Sequence, residues 1–120
     1  MNKVKWGIIG CGDVTEIKSG PAFNKVPNSS LVAVMRRNAD KAADYAKRHN
    51  VARWYNDASK LIDDPEINAI YVATPPSSHE EYTLAAINAG KHVYVEKPMA
   101  LDYTAAQRMA ETAKAKNVKL

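Results

Sequence analysis

The sequence predicts an α/β fold, a doubly wound parallel sheet. Three observations carry that expectation. The apolar run at residues 4–9 opens directly into Gly10-Cys11-Gly12, which reads as a buried strand followed by a tight turn. Further short apolar runs recur along the chain and alternate with stretches of helical spacing. Those runs are nearly continuous, as in Ala69-Ile70-Tyr71-Val72-Ala73, the pattern of parallel strands covered on both faces.

Each element can be justified in order. Val4, Trp6, Ile8 and Ile9 mark the first strand. Asp13-Val14-Thr15 should turn toward a helix, but Gly20-Pro21 interrupts it, so a bent turn over 13–20 and a short helix to Val26 are expected. Pro27-Asn28-Ser29-Ser30 ends that helix, and residues 31–35 form the second strand. Asn38 caps a helix running to about His49, with Ala42, Ala43, Ala46 and His49 inward and Asn50 closing it. Residues 53–55 form a short third strand, and Asp57 caps a small helix that carries Leu61 and Ile62 inward. Residues 69–73 are the fourth strand. Ser77 and Glu80 have capping-box spacing ahead of a helix with Tyr82, Ala85, Ala86 and Ala89 inward. Residues 92–95 are the fifth strand. Thr104 and Gln107 form a second capping box, with Ala106, Met109, Ala110 and Ala113 facing the core. Asn117 stops that helix, and Val118-Lys119-Leu120 opens a sixth strand.

Bulk properties exclude several classes. The chain has 120 residues, enough for one domain with a real core. No apolar run approaches the length of a membrane span. The N-terminal residues pass straight into the first strand, leaving no room for a signal peptide, and Cys11 is the only cysteine. A cytoplasmic protein without disulfides or membrane contact is therefore expected. The net charge of +4 is spread among interleaved acids, and no basic run carries stacking aromatics, so nucleic acid is not an expected partner. His49, His79 and His92 lack metal-ligand spacing, and no metal site is expected.

In open parallel sheets, ligands bind beyond the carboxyl ends of the strands. The chemically unusual residues cluster at those ends. Gly10-Cys11-Gly12-Asp13-Val14 offers free backbone N–H groups beside a helix N-terminus, a cradle for a pyrophosphate. A bare strand-to-helix turn is the alternative reading of these glycines. After the second strand, where an NAD site usually carries an acid for the ribose 2′-hydroxyl, this chain has Arg36 and Arg37. Guanidinium groups bind a 2′-phosphate bidentately, so NADP(H) is favoured over NAD(H). Solvated arginines, or a pair with Asp40, are the alternative. Thr74, Pro75 and Pro76 form a stiffened loop after the fourth strand, and His79 follows in the first helical turn, facing either the cleft or solvent. Glu96 and Lys97 end the fifth strand, where charges are costly unless they pair or line a cleft. Lys97 is the candidate catalytic residue, binding a substrate oxygen as charge develops on it. Glu96 orients Lys97 or the ribose; an ordinary surface ion pair is the alternative.

The order G-C-G-D-V (10–14), A-T-P-P-S-S-H (73–79) and A-G-K-H-V-Y-V-E-K-P-M-A (89–100) resembles the N-terminal Rossmann domain of the glucose–fructose oxidoreductase / inositol dehydrogenase (Gfo/Idh/MocA) family. The resemblance spans essentially all of the chain, and its G-K-H-V-x-x-E-K-P block is highly specific. It implies an NAD(P)-dependent oxidoreductase acting on sugars, polyols or related carbonyl and hydroxyl substrates. It also implies that Gly10, Gly12, Asp13 and Val14 hold the pyrophosphate. Thr74, Pro75, Pro76 and His79 then lie beside the cofactor, Glu96 contacts its ribose or nicotinamide side, and Lys97 serves the active site. Thr15 departs from the usual small residue, and Arg36 stands where NAD-preferring members carry an acid. Members of the family continue into a second domain that supplies most of the substrate pocket and oligomer contacts. Residues 1–120 are accordingly read as a dinucleotide-binding domain that binds cofactor but turns over no substrate alone. The full-length protein is expected to be a homo-oligomer. A non-catalytic dinucleotide-binding sensor and a structural domain without nucleotide remain the competing readings.

Overall fold

A computed structural model of the chain describes residues 3–10, 27–96, 100 and 102–120. Among these residues five strands occur: β1 (Val4–Ile9), β2 (Ser29–Met35), β3 (Arg53–Tyr55), β4 (Ala69–Val72) and β5 (His92–Val95). Every pairing is parallel, and the order across the sheet is β3-β2-β1-β4-β5. The chain builds outward from β1 to β3, then crosses to the opposite side of β1 to begin β4. That reversal opens a crevice between the carboxyl ends of β1, β2 and β4.

Helices α1 (Ala39–Arg48), α2 (Ala58–Ile62), α3 (His79–Asn88) and α4 (Tyr103–Ala115) cover the two faces. On one face Ile9, Met35, Ile70, Val72 and Val93 pack against Leu61 and Ile62 of α2, Ala86 and Ile87 of α3 and Ala113 of α4. On the other, Ile8, Val34 and Tyr71 pack against Tyr45 and Ala46 of α1. Strand side chains alternate between faces, so both must be apolar, which gives the near-continuous runs in the sequence.

The predicted caps hold at α1, where Asn38 Oδ1 accepts from the Lys41 amide at 3.1 Å, and at α2, where Asp57 accepts from Ser59 at 2.9 Å. Asn50 and Asn117 follow their helices at φ 56°, as expected of left-handed closing residues. Two capping boxes do not form. At α4 the cap is Asp102, whose carboxylate accepts from the Ala105 amide at 2.7 Å, placing Thr104 inside the first turn. At α3 a 3-10 turn (Pro76–Ser78) precedes the helix, Ser78 takes the cap position, and Glu80 pairs instead with Arg108 of α4.

The inward faces also differ from expectation. Tyr45 joins Ala42 and Ala46 on α1; on α3 the buried residues are His79, Thr83, Ala86 and Ile87, and on α4 they are Ala105, Met109 and Ala113. Alanine suits either face of a helix, so alanine-rich stretches do not fix the phase. Residues 118–120 are not a strand, although the Val93 amide already donates to the Lys119 carbonyl at 2.9 Å. The bent turn and helix expected over 13–26 lie outside the described residues.

Candidate functional site

The strand ends are tied together before any side chain contributes. Gly10 has φ +90°, and its amide donates to the Met35 carbonyl at 2.9 Å. Ala73 donates to Ile9 at 2.9 Å, and Arg36 to Tyr55 at 3.1 Å. A Cβ on Gly10 would lie 2.7 Å from Thr74 Cγ2 and 3.0 Å from the Thr74 amide nitrogen. Only glycine therefore fits, because both the backbone angle and the contact with the β4 loop exclude a side chain.

Above this junction lies a cleft of about 530 Å³. Gly10 forms its floor, Arg36, Arg37, Asn38 and Lys41 one wall, and Thr74, Pro75, Ser77, Ser78 and Tyr82 the other. Among the described lining residues there are three cations and no carboxylate. Arg36 is half-buried while Arg37 and Lys41 are exposed, so the positive charge sits at the mouth above β2. A larger hollow of about 660 Å³ runs between β5 and α4. It is lined chiefly by apolar residues such as Val93, Val95, Ala113 and Val118, with Glu96 and Lys114 as its charged lining residues.

The wall after β4 is internally braced. Ser78 Oγ lies 2.7 Å from Thr74 Oγ1 and 2.9 Å from the Pro75 carbonyl. His79 is only 1% exposed, and its Nε2 donates to the Thr74 carbonyl at 2.6 Å. This corrects the expectation for His79: its ring points neither into the cleft nor to solvent but inside the protein, where it supports the loop that lines the cleft. Glu96 is also not a wall of this cleft. Its amide donates to the Val72 carbonyl at 3.0 Å, and its carboxylate accepts from the Tyr71 hydroxyl.

Of the other predicted site residues, the fold brings Gly10, Arg36, Arg37, Thr74 and Pro75 to one cleft, and Pro76 starts the adjoining 3-10 turn. Cys11, Gly12, Asp13, Val14 and Lys97 lie outside the described residues. Sequence reasoning missed Lys41 and Tyr82, whereas Asn38, Ser77 and Ser78 fall in the strand-end stretches 36–38 and 74–79 where ligands are expected. Lys41 was legible in principle, since it stands three residues beyond the Asn38 cap, on the first turn that faces the strand ends. No helix among the described residues is long and apolar enough to cross a membrane. No group of three or more metal-ligating side chains converges among them.

The model of the oxidoreductase family with an NAD-binding Rossmann fold (GFO_IDH_MocA) matches residues 4–120. The chain belongs to this family. It is 58% identical over 119 residues to oxidoreductase P35 of Formosa agariphila, covering 99% of this chain and 37% of that protein. It is 32% identical over 117 residues to scyllo-inositol 2-dehydrogenase (NADP(+)) IolU of Bacillus subtilis, covering 98% of this chain and 35% of the relative. Among solved structures, KijD10, a 3-ketoreductase from Actinomadura kijaniata in complex with TDP-benzene and NADP, superimposes with a TM-score of 0.92 at 29% identity. That likeness covers 98% of this chain and 37% of the other. The chain thus spans little more than a third of the family members it matches. Like them, it carries the parallel sheet and strand-end crevice of a dinucleotide-binding domain.

Proposed function

We propose that this chain is the cofactor domain of an NADP(H)-preferring oxidoreductase that moves a hydride to or from a sugar, polyol or related substrate. The observation that carries the cofactor preference is the cleft wall after β2, with Arg36, Arg37 and Lys41 and no carboxylate among the described lining residues. A carboxylate there would repel a 2′-phosphate, whereas guanidinium groups bind it through paired hydrogen bonds. Each charged hydrogen bond contributes about 1.5–3 kcal/mol, or roughly ten- to a hundredfold in affinity. The NADP named for KijD10 and for IolU supports the same reading.

The residues present fit a dinucleotide. Gly10 lets the β1 turn close on Thr74, where a Cβ would collide, and so presents bare backbone at the cleft where a pyrophosphate would lie. When bound, the nicotinamide supplies the hydride chemistry. The chain's own residues bind, orient and exclude water: the arginines and Lys41 hold the phosphorylated ribose, and the His79–Thr74–Ser78 brace keeps the opposite wall at fixed distance. Glu96 and Lys97 serve the nicotinamide side, with Lys97 binding the substrate oxygen on which charge develops.

The substrate class follows the relatives, whose names include an inositol dehydrogenase and a sugar-nucleotide ketoreductase. Turnover by the full-length protein on a panel of sugars and polyols, read by the absorbance of reduced nicotinamide, tests it. Lys97→Ala should lose most turnover while NADPH affinity stays within about tenfold. Unchanged turnover removes Lys97 from the catalytic role. Cofactor binding without turnover on any such substrate favours a non-catalytic sensor.

A further inference from the structure

Tyr71 sits in the middle of β4 and is 2% exposed. Its neighbours on that face, Ile8 and Val34, are aliphatic, and an aliphatic residue would satisfy the same buried parallel strand. A phenol buried there brings a hydroxyl that needs a partner. It finds one at the carboxyl end of the next strand, where it donates to Glu96 Oε2. Tyr71 pairs with Tyr94 across the β4–β5 ladder, and the two rings meet edge to face, 5.3 Å apart at 85°. Tyr94 and Glu96 are two residues apart, so both project to the face on which Tyr71 lies. Tyr94 thus holds the Tyr71 ring from the side while the hydroxyl holds the carboxylate.

Glu96 is then fixed twice, by its amide on the Val72 carbonyl at 3.0 Å and by its carboxylate on Tyr71. Among the described residues Oε1 of the same carboxylate has no partner. A half-buried carboxylate with one oxygen anchored and one open is a preorganised acceptor for a ligand hydroxyl.

We propose that Tyr71 is a positioning residue: it aims the Glu96 carboxylate at a hydroxyl of the nicotinamide-side ribose. The inference rests on the cofactor reading above and adds Tyr71 to it. It predicts a loss confined to one half of the cofactor. In the full-length protein, Tyr71→Phe keeps the ring and removes only the hydroxyl. NADPH should bind about five- to tenfold more weakly. Adenosine 2′,5′-bisphosphate, which carries the adenine and phosphorylated ribose but no nicotinamide riboside, should bind as in the wild type. A merely structural role would weaken both ligands alike. Adding Tyr71→Phe to Glu96→Ala should cost NADPH binding nothing further, because the proposed route from the hydroxyl to the cofactor runs through that carboxylate. Unchanged NADPH affinity, equal losses for both ligands, or additive losses in the double variant would overturn the proposal while leaving the cofactor site standing. A wild-type protein that binds neither ligand would remove the cofactor reading and this inference with it.

Discussion

Gly10 shows how much one residue decides. Its positive φ and its contact with Thr74 leave no room for any side chain. Gly10→Ala combines a strained backbone, about 1–3 kcal/mol, with displacement of the β4 loop. We expect a lower urea midpoint and loss of dinucleotide binding; an alanine variant with unchanged binding would show that the turn does not form the cradle. Asp64 is the second such residue, at the opposite end of the sheet. Its carboxylate accepts from Arg53 Nη1 at 2.9 Å, the Tyr55 hydroxyl at 3.0 Å and the Glu66 amide at 3.0 Å. Burial pushes its pKa up, but the Glu66 amide, Tyr55 and Arg53 outweigh that and hold it below the usual carboxylate range. A lowered folded pKa stabilises the protein above the unfolded value of about 4, and that contribution disappears as pH falls through the folded value. Asp64→Asn should therefore cost about 1–3 kcal/mol near neutral pH, and the cost should shrink in acid. The measurement is urea unfolding as a function of pH, and a pH-independent cost would contradict the assignment.

Elements show which signals were legible and which were not. The five strands and the caps at Asn38 and Asp57 were readable because buried parallel strands and polar caps have local signatures. The start of α4 was not. Asp102 and Thr104 are both cap residues, and only the chain path selects between them; the structure selects Asp102. Asp102→Ala should cost about 1 kcal/mol in thermal unfolding, while Thr104→Ala should fall within about half that. The reverse order would contradict the assigned helix start. The specific block at residues 90–98 also divides by place rather than by chemistry. Lys91 Nζ donates to the carbonyls of Asp64 and Ile67, at 2.9 and 2.5 Å, and His92 Nδ1 accepts from the Lys119 amide at 2.9 Å. Those polar groups brace the amino end of β5, whereas Glu96 stands at its carboxyl end. The pattern in the sequence does not separate bracing from binding. His79 makes the same point, since its burial against Thr74 depends on a fold the local sequence does not contain.

At the scale of the whole molecule, one event gathers the site: the crossover that carries the chain from β3 to the far side of β1. It places the end of β1 between the ends of β2 and β4, so Gly10, Arg36 and Thr74, far apart in sequence, border one cleft. The alternation of strands and helices made that gathering predictable, while the inclusion of Lys41 and Tyr82 required the packed walls. We propose this cleft as the site of a phosphorylated dinucleotide. That assignment is tested most directly by titrating the protein with NADPH and NADH and following nicotinamide fluorescence, in the wild type and in Arg36→Asp. NADPH should bind roughly ten- to a hundredfold tighter than NADH, and Arg36→Asp should abolish the difference. Equal affinities, or a preference for NADPH that survives Arg36→Asp, would contradict the assignment.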